Sequence, residues 1–219
     1  MMANPFSWEK SGGLARRYKD HPRGVRRLVD PITNRLIAFG DDLAFENWLL
    51  HRFDPQVNEL EHSPVPIEVI GPAGAPLRAV AHLSLTRKDG GRELHLVFKS
   101  MAPEGHRRVL ASIAKVLGGK LVLRSRPEIR EDVVCTANLR YLRQVMTMWR
   151  GAGSEIDAAV RGQLACTGSM VREQLTRAHP QYDPGLIDSR LGYMRCRGEL
   201  SILFTGVSYG DRTVITTAQ

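Results

Sequence analysis

The chain has 219 residues, enough for one large domain or two small ones with cores of their own. Apolar residues make up 42% and charged residues 25%, which excludes a disordered or fibrous protein, and no run of about 18 apolar residues exists to span a membrane. The formal net charge is +8, and residues 1–35 hold most of it, with eight Lys/Arg against Glu9, Asp20 and Asp30.

Residues 1–35 contain Gly12-Gly13, Pro22 and Pro31 and no sustained periodicity, which predicts an extended, partly ordered basic arm. A basic arm on a nearly neutral body suits a polyanion, because neutralising phosphates releases counterions. Arg16, Arg17, Lys19, Arg23, Arg26 and Arg27 are its candidate DNA contacts. The first residues, MMANPFSWEKSGG, lack the apolar core of a signal peptide, so the expected location is the cytoplasm. Cys135, Cys166 and Cys196 fit no zinc or disulfide spacing and are expected to be free thiols.

Residues 35–39 predict a short strand, and Gly40-Asp41-Asp42 a turn and helix N-cap. The helix is expected from Leu43 to Phe53, with Leu43, Phe45, Trp48, Leu49 and Leu50 as its buried side. Asp54-Pro55 ends it, since proline cannot continue a helix. A strand is expected over 57–61 and another over 67–70, with Pro64 and Pro66 excluding a central strand between them. Leu77–Thr86 and Glu93–Lys99 alternate around Asp89-Gly90-Gly91, the pattern of a β-hairpin. In its second strand Val97 and Lys99 share a face. A helix over 104–117 and a strand at 121–123 then form a crossover unit, which predicts the new strand parallel in the same sheet.

Residues 131–150 predict a helix, and Gly151-Ala-Gly153 breaks it. After that boundary, Ser154 is expected to cap a helix over 155–164, Ser169 a second over 170–178, and Asp183-Pro184 a third to about Arg195. Two β-rich runs follow, 200–204 and 213–217. Three short helices and a terminal hairpin make a winged-helix-like pattern, whose third helix can enter a major groove while the hairpin tip touches backbone. Ser189, Arg190, Tyr193 and Arg197 are the expected exposed residues of that helix, with Tyr209 and Arg212 on the wing. Winged helices also serve as protein-docking modules.

Laid end to end, these stretches resemble the TnsA family, the endonuclease subunit of heteromeric transposases. Residues 35–39 through Leu43 are similar to that family's lead-in to its first catalytic helix. Phe53-Asp54-Pro55-Gln56-Val57 resembles its "FDP-x-V" turn, and 60–64 the segment ending "QP". The 81–99 hairpin resembles its "PDFLV … VEVK" strands, and 136–142 its "NLxxL" helix. The resemblance implies an α/β fold: a restriction-endonuclease-like mixed sheet of the PD-(D/E)XK type flanked by helices over 36–150, plus a C-terminal winged-helix-like domain over 151–219.

The departures fall on the chemistry. The family's helix-borne glutamate aligns with Ala44, its aspartate with His82 and the acid before x-Lys with Val97, leaving Lys99 as the retained motif residue. Holding Mg²⁺ needs hard oxygen ligands, which alanine and valine lack, and imidazole suits softer metals. Asp41, Glu46, Glu68, Asp89 and Glu93 are the neighbouring acids that a relocated site would draw on. The expected function is therefore DNA binding by a catalytically degenerate subunit of a mobile-element complex, with DNA and transposase-type proteins as partners and no cofactor. An active Mg²⁺-dependent endonuclease with relocated carboxylates is the first alternative. A protein-interaction subunit without a direct DNA role is the second.

Overall fold

The computed structural model describes residues 25–70, 76–98, 118–204 and 206–218. Four of the predicted arm contacts (Arg16, Arg17, Lys19 and Arg23), Lys99 and the expected helix over 104–117 lie outside the described residues. The described chain is α/β.

The chain enters through β1 (Arg26–Val29), paired antiparallel with β2 (Leu36–Phe39). This corrects the end of the predicted arm. Residues 26–29 carry no alternation of their own and become a strand because β2 supplies the ladder. Asp30 closes the turn, accepting from Ile32 N at 3.0 Å and Thr33 Oγ1 at 2.8 Å, and Asn34 adopts φ 58°. Asp30 is buried and also takes a hydrogen bond from Arg52.

Helix α1 (Asp42–Arg52) starts where the sequence places it. Asp41 is the N-cap and accepts from Leu43 N at 2.6 Å. Leu43, Ala44, Phe45, Glu46, Asn47, Trp48, Leu49 and His51 are all buried, so α1 is enclosed on nearly every side rather than on one stripe.

Five strands form the main sheet: β3 (Val57–Glu61), β4 (Val65–Ile70), β5 (Pro76–Arg87), β6 (Arg92–Phe98) and β7 (Lys120–Ser125). Their order is β3–β5–β6–β7, with β4 paired to the first part of the long β5. The β5–β6 hairpin turns at Gly90, whose φ of 85° favours glycine, while Asp89 accepts from Gly91 N at 2.8 Å. The register shifts at His82, between the Ala81–Leu96 and Leu83–His95 pairs. β7 runs parallel to β6, as the crossover spacing predicts.

The chain continues through the single turn α2 (Arg126–Ile129), then α3 (Val133–Met148) and α4 (Ser154–Thr167). β8 (Ser169–Val171), α5 (Arg172–Ala178), α6 (Pro184–Arg197), β9 (Leu200–Ile202) and β10 (Val214–Thr217) complete it. Two local expectations are corrected. Ser154 is the first residue of α4, and Gly153, at φ 76°, takes the N-cap. Residues 169–171 are a strand instead of a capped helix start, because Met170 is buried and Val171 pairs with Val214 far along the chain. Asp183-Pro184 behaves as predicted, with Asp183 accepting from Gly185 N at 2.7 Å.

β8–β10–β9 form a three-stranded antiparallel sheet. Helix α6 packs on α3 so closely that a Cβ added to Gly192 would lie 2.6 Å from Met146 Sδ. Leu139, Leu142 and Met146 of α3 belong to the same buried cluster as Ile187, Leu191 and Met194 of α6. That contact decides what α6 can present to a partner.

Candidate nucleic-acid interface

Ala44, Asn47 and His51 line up on α1 at helical spacing. Ala44 is 3% exposed and ends in a methyl group. On β6, Val97 and His95 share a face, and across the parallel ladder Val97 lies in register with Arg124. The neighbour of the position aligned with a metal-binding acid is therefore a guanidinium. No group of three or more His, Cys, Asp or Glu side chains among the described residues could hold a metal ion. Alanine, valine and an adjacent arginine do not fit a Mg²⁺ pair.

The neighbouring acids are committed elsewhere. Glu46, buried on α1, accepts from Arg130 Nε at 2.7 Å and Arg140 Nη2 at 2.6 Å. Asp41 is occupied as the α1 cap. Glu93 is bound by Arg87 at 3.1 Å and by His95 Nε2 at 3.0 Å, and Asp89 closes the hairpin turn. The side chain of Glu68 lies outside the described residues.

The histidines around this end of the sheet are held neutral. Burial pushes His82 down to about 4, aided by His62 and opposed by Asp41. His51 is pushed down to about 3 by burial, then by His95, Arg124 and Arg87. His95 and His62 are lowered by burial too. Burial works to raise Glu93, but hydrogen bonds from Arg87 and His95 outweigh it and hold the carboxyl at about 2.

A basic face lies where β1, α1 and α3 meet. Arg26 pairs with Asp42 at 2.9 Å, and its guanidinium stands 4.5 Å from the centre of the Phe45 ring. Arg140 approaches the same ring at 5.7 Å. Arg143 is half-buried beside Arg26, and burial followed by that like charge lowers its proton affinity. Arg130 and Arg140 keep 33% and 43% of their side chains exposed while neutralising Glu46. Arg27 is exposed on β1, next to Arg26. Sequence reasoning missed Arg130, Arg140 and Arg143, because they are separated from Arg26 along the chain and carry no cluster signal.

In the C-terminal segment the expected exposure of Ser189 and Arg190 is overturned. Ser189 is 0% and Arg190 8% exposed. Arg190 donates to Asp157 from Nε at 2.7 Å and Nη2 at 2.6 Å, an arrangement no charge count along the sequence could reveal. The Tyr193 hydroxyl donates to the carbonyls of Pro31 and Met146, at 3.2 and 3.3 Å. Arg197 is exposed but ion-paired with Asp157 at 2.8 Å and with Glu199. Arg212 is exposed on the β9–β10 loop.

That loop is fastened to the body. Asn138 of α3 donates to Val207 O and accepts from Tyr209 N, both at 2.8 Å. Asp188, fully buried on α6, accepts from Tyr141 Oη at 2.6 Å, Tyr209 Oη at 2.7 Å and Arg172 Nε at 2.7 Å. These bonds fix the β9–β10 loop against α3 and α6. No helix among the described residues is long and apolar enough to cross a membrane. Comparison of the sequence with models of known families and with curated proteins finds no match to this chain.

Proposed function

We propose that this protein holds DNA without cutting it, as a catalytically inactive TnsA-like subunit of a mobile-element complex. The observation that carries the reading is the pairing of Val97 with Arg124 while Ala44 lines the facing stripe of α1. An arginine beside the former acid position repels a divalent cation and attracts a phosphate. The element order supports the restriction-endonuclease-like part of the reading: helix α1, antiparallel β3, β5 and β6, then β7 parallel to β6. The order α4–β8–α5–α6–β9–β10, with sheet order β8–β10–β9, supports a winged-helix-like unit.

Within that reading, α6 is a docking helix against α3 instead of a groove reader, and DNA contact falls to the basic N-terminal segment, the β1–α1–α3 arginine face, Arg124 and Arg212. The endonuclease alternative is disfavoured by the capture of Glu46, Asp41 and Glu93 in contacts of their own. The test is a plasmid-nicking assay in Mg²⁺ and in Mn²⁺, run beside a DNA-binding titration, with Lys99→Ala as control. The proposal expects binding without product in either metal. Lysine-dependent cleavage would sink it.

A further inference from the structure

Helix α3 packs against α1 and α6 and buries Thr136, Asn138, Leu139, Leu142, Val145 and Met146. Along its opposite side Val133, Ala137, Tyr141, Gln144 and Met148 are all exposed. Steps of four, four, three and four residues keep these five in one stripe running the length of the helix. An outward helix face ordinarily carries charge, and this stripe carries none. Val133, Tyr141 and Met148 are 64%, 39% and 69% exposed. They are three of the seven large apolar side chains exposed among the described residues, gathered on one face. A fourth, Val207, is tied next to the stripe through its carbonyl, which accepts from Asn138 Nδ2. The stripe is also rigid, since the Tyr141 hydroxyl is held by buried Asp188 at 2.6 Å. A contiguous apolar patch of this kind marks a contact surface.

The order of residues along the stripe selects its occupant, because the two halves complement each other. A two-fold axis crossing α3 between Arg140 and Tyr141 sets Val133 opposite Met148 of a second copy. The same axis sets Ala137 opposite Gln144, a small side chain against a long one, and brings the two Tyr141 rings together. Glu131 stands two residues before the helix and Arg150 two residues after it. Both are exposed, and neither has an ion pair among the described residues. Under that one axis each Glu131 meets an Arg150, so the charge match occurs twice. Running antiparallel, the two helices also place opposite dipole ends side by side. A parallel pairing would instead set Glu131 against Glu131 and Arg150 against Arg150. An unrelated protein would require no match between the halves of the stripe, whereas a second copy requires this one.

We propose that the exposed stripe of α3 is a self-association surface, on which a second copy of this chain docks antiparallel about a two-fold axis. The proposal goes beyond the DNA-holding reading and does not depend on it. At 16 residues α3 is about 24 Å long, and two such helices side by side bury on the order of 1,000 Å². That area is at the low end for a specific interface, so the dimer forms and dissociates in the micromolar range. The net charge of +8 on each copy opposes approach, but physiological salt screens it beyond about 8 Å. The two Glu131–Arg150 pairs lie within that distance and keep their attraction.

The test is sedimentation equilibrium of the full chain at rising micromolar concentration, in physiological salt and without DNA. The expected result is a monomer–dimer equilibrium. Met148→Glu should weaken it by roughly tenfold or more, whereas Leu36→Glu, at an equally exposed apolar residue of β2, should leave it unchanged. Glu131→Arg and Arg150→Glu should each weaken association, and the double variant should recover it, because the swap restores both pairs across the axis. All four positions are exposed, so the variants are expected to keep the urea midpoint of the unmodified chain. A monomer at every concentration overturns the proposal and assigns the stripe to a different protein. A dimer that Met148→Glu leaves intact, or a double variant no better than the single ones, places the contact elsewhere and overturns it too. With DNA absent, neither result bears on the DNA reading, which the nicking assay and binding titration test separately.

Discussion

Val97 on β6 lies in register beside Arg124 on β7, so a guanidinium neighbours the place where the resemblance puts a metal-binding acid. One acid placed there does not by itself make a metal site. Val97→Glu is expected to form an ion pair with Arg124, to give no Mg²⁺-dependent nicking of plasmid DNA, and to weaken DNA binding by cancelling a positive charge. Nicking by that single variant would show that the remaining donors already suffice.

Asp157→Ala tests the claim that Arg190 is structural. It leaves a guanidinium only 8% exposed without its carboxylate. The cost expected for breaking a buried pair is about 3–5 kcal/mol, read as a fall in the urea midpoint. DNA affinity per folded molecule should be unchanged, since neither residue reaches a surface that α6 could offer.

The arginine face makes the opposite prediction. Arg143→Ala should reduce the slope of log affinity against log salt by about 1, the signature of one lost phosphate contact. Arg27→Ala, on exposed β1, should behave alike. A variant that lowered stability but left the slope alone would remove this face from the interface.

The buried histidines set the pH response. Their folded proton affinities lie below the unfolded value of 6.5, with His82 near 4 and His51 near 3. Between those limits the unfolded chain binds more protons than the folded one, so stability rises with pH and falls on acidification. Each such histidine contributes a slope of about 1.4 kcal/mol per pH unit. Glu93, held at about 2, adds a further loss as the pH falls below the ordinary carboxylate value. Urea midpoints at successive pH values from neutral to 4 should decline, and His51→Leu should flatten the decline by one proton. A flat profile would mean that these rings titrate freely in the folded state.

What the sequence displayed best was whatever local chemistry dictates. The Asp41 cap, the Asp89-Gly90-Gly91 turn and the Asp183-Pro184 helix start all appear where residue types alone require them. Elements defined by distant partners were hidden. β1 exists through β2, and three-residue β8 through β10. The register shift at His82 depends on how β6 pairs and has no marker in the β5 sequence. The site was half legible: that Ala44 and Val97 stand where the resemblance expects acids can be read in the sequence, but Arg124 becomes the neighbour of Val97 only once β7 lies parallel to β6. Arg190 misled because an arginine on a helix looks the same in sequence whether it faces solvent or Asp157.

The most direct test is one titration of labelled duplex DNA with the full chain in Mn²⁺ at rising salt, with the DNA recovered afterwards on a denaturing gel. The account predicts a binding constant that falls steeply with salt and DNA recovered at its original length. Salt-independent binding, or cleavage that disappears in Lys99→Ala, would contradict it.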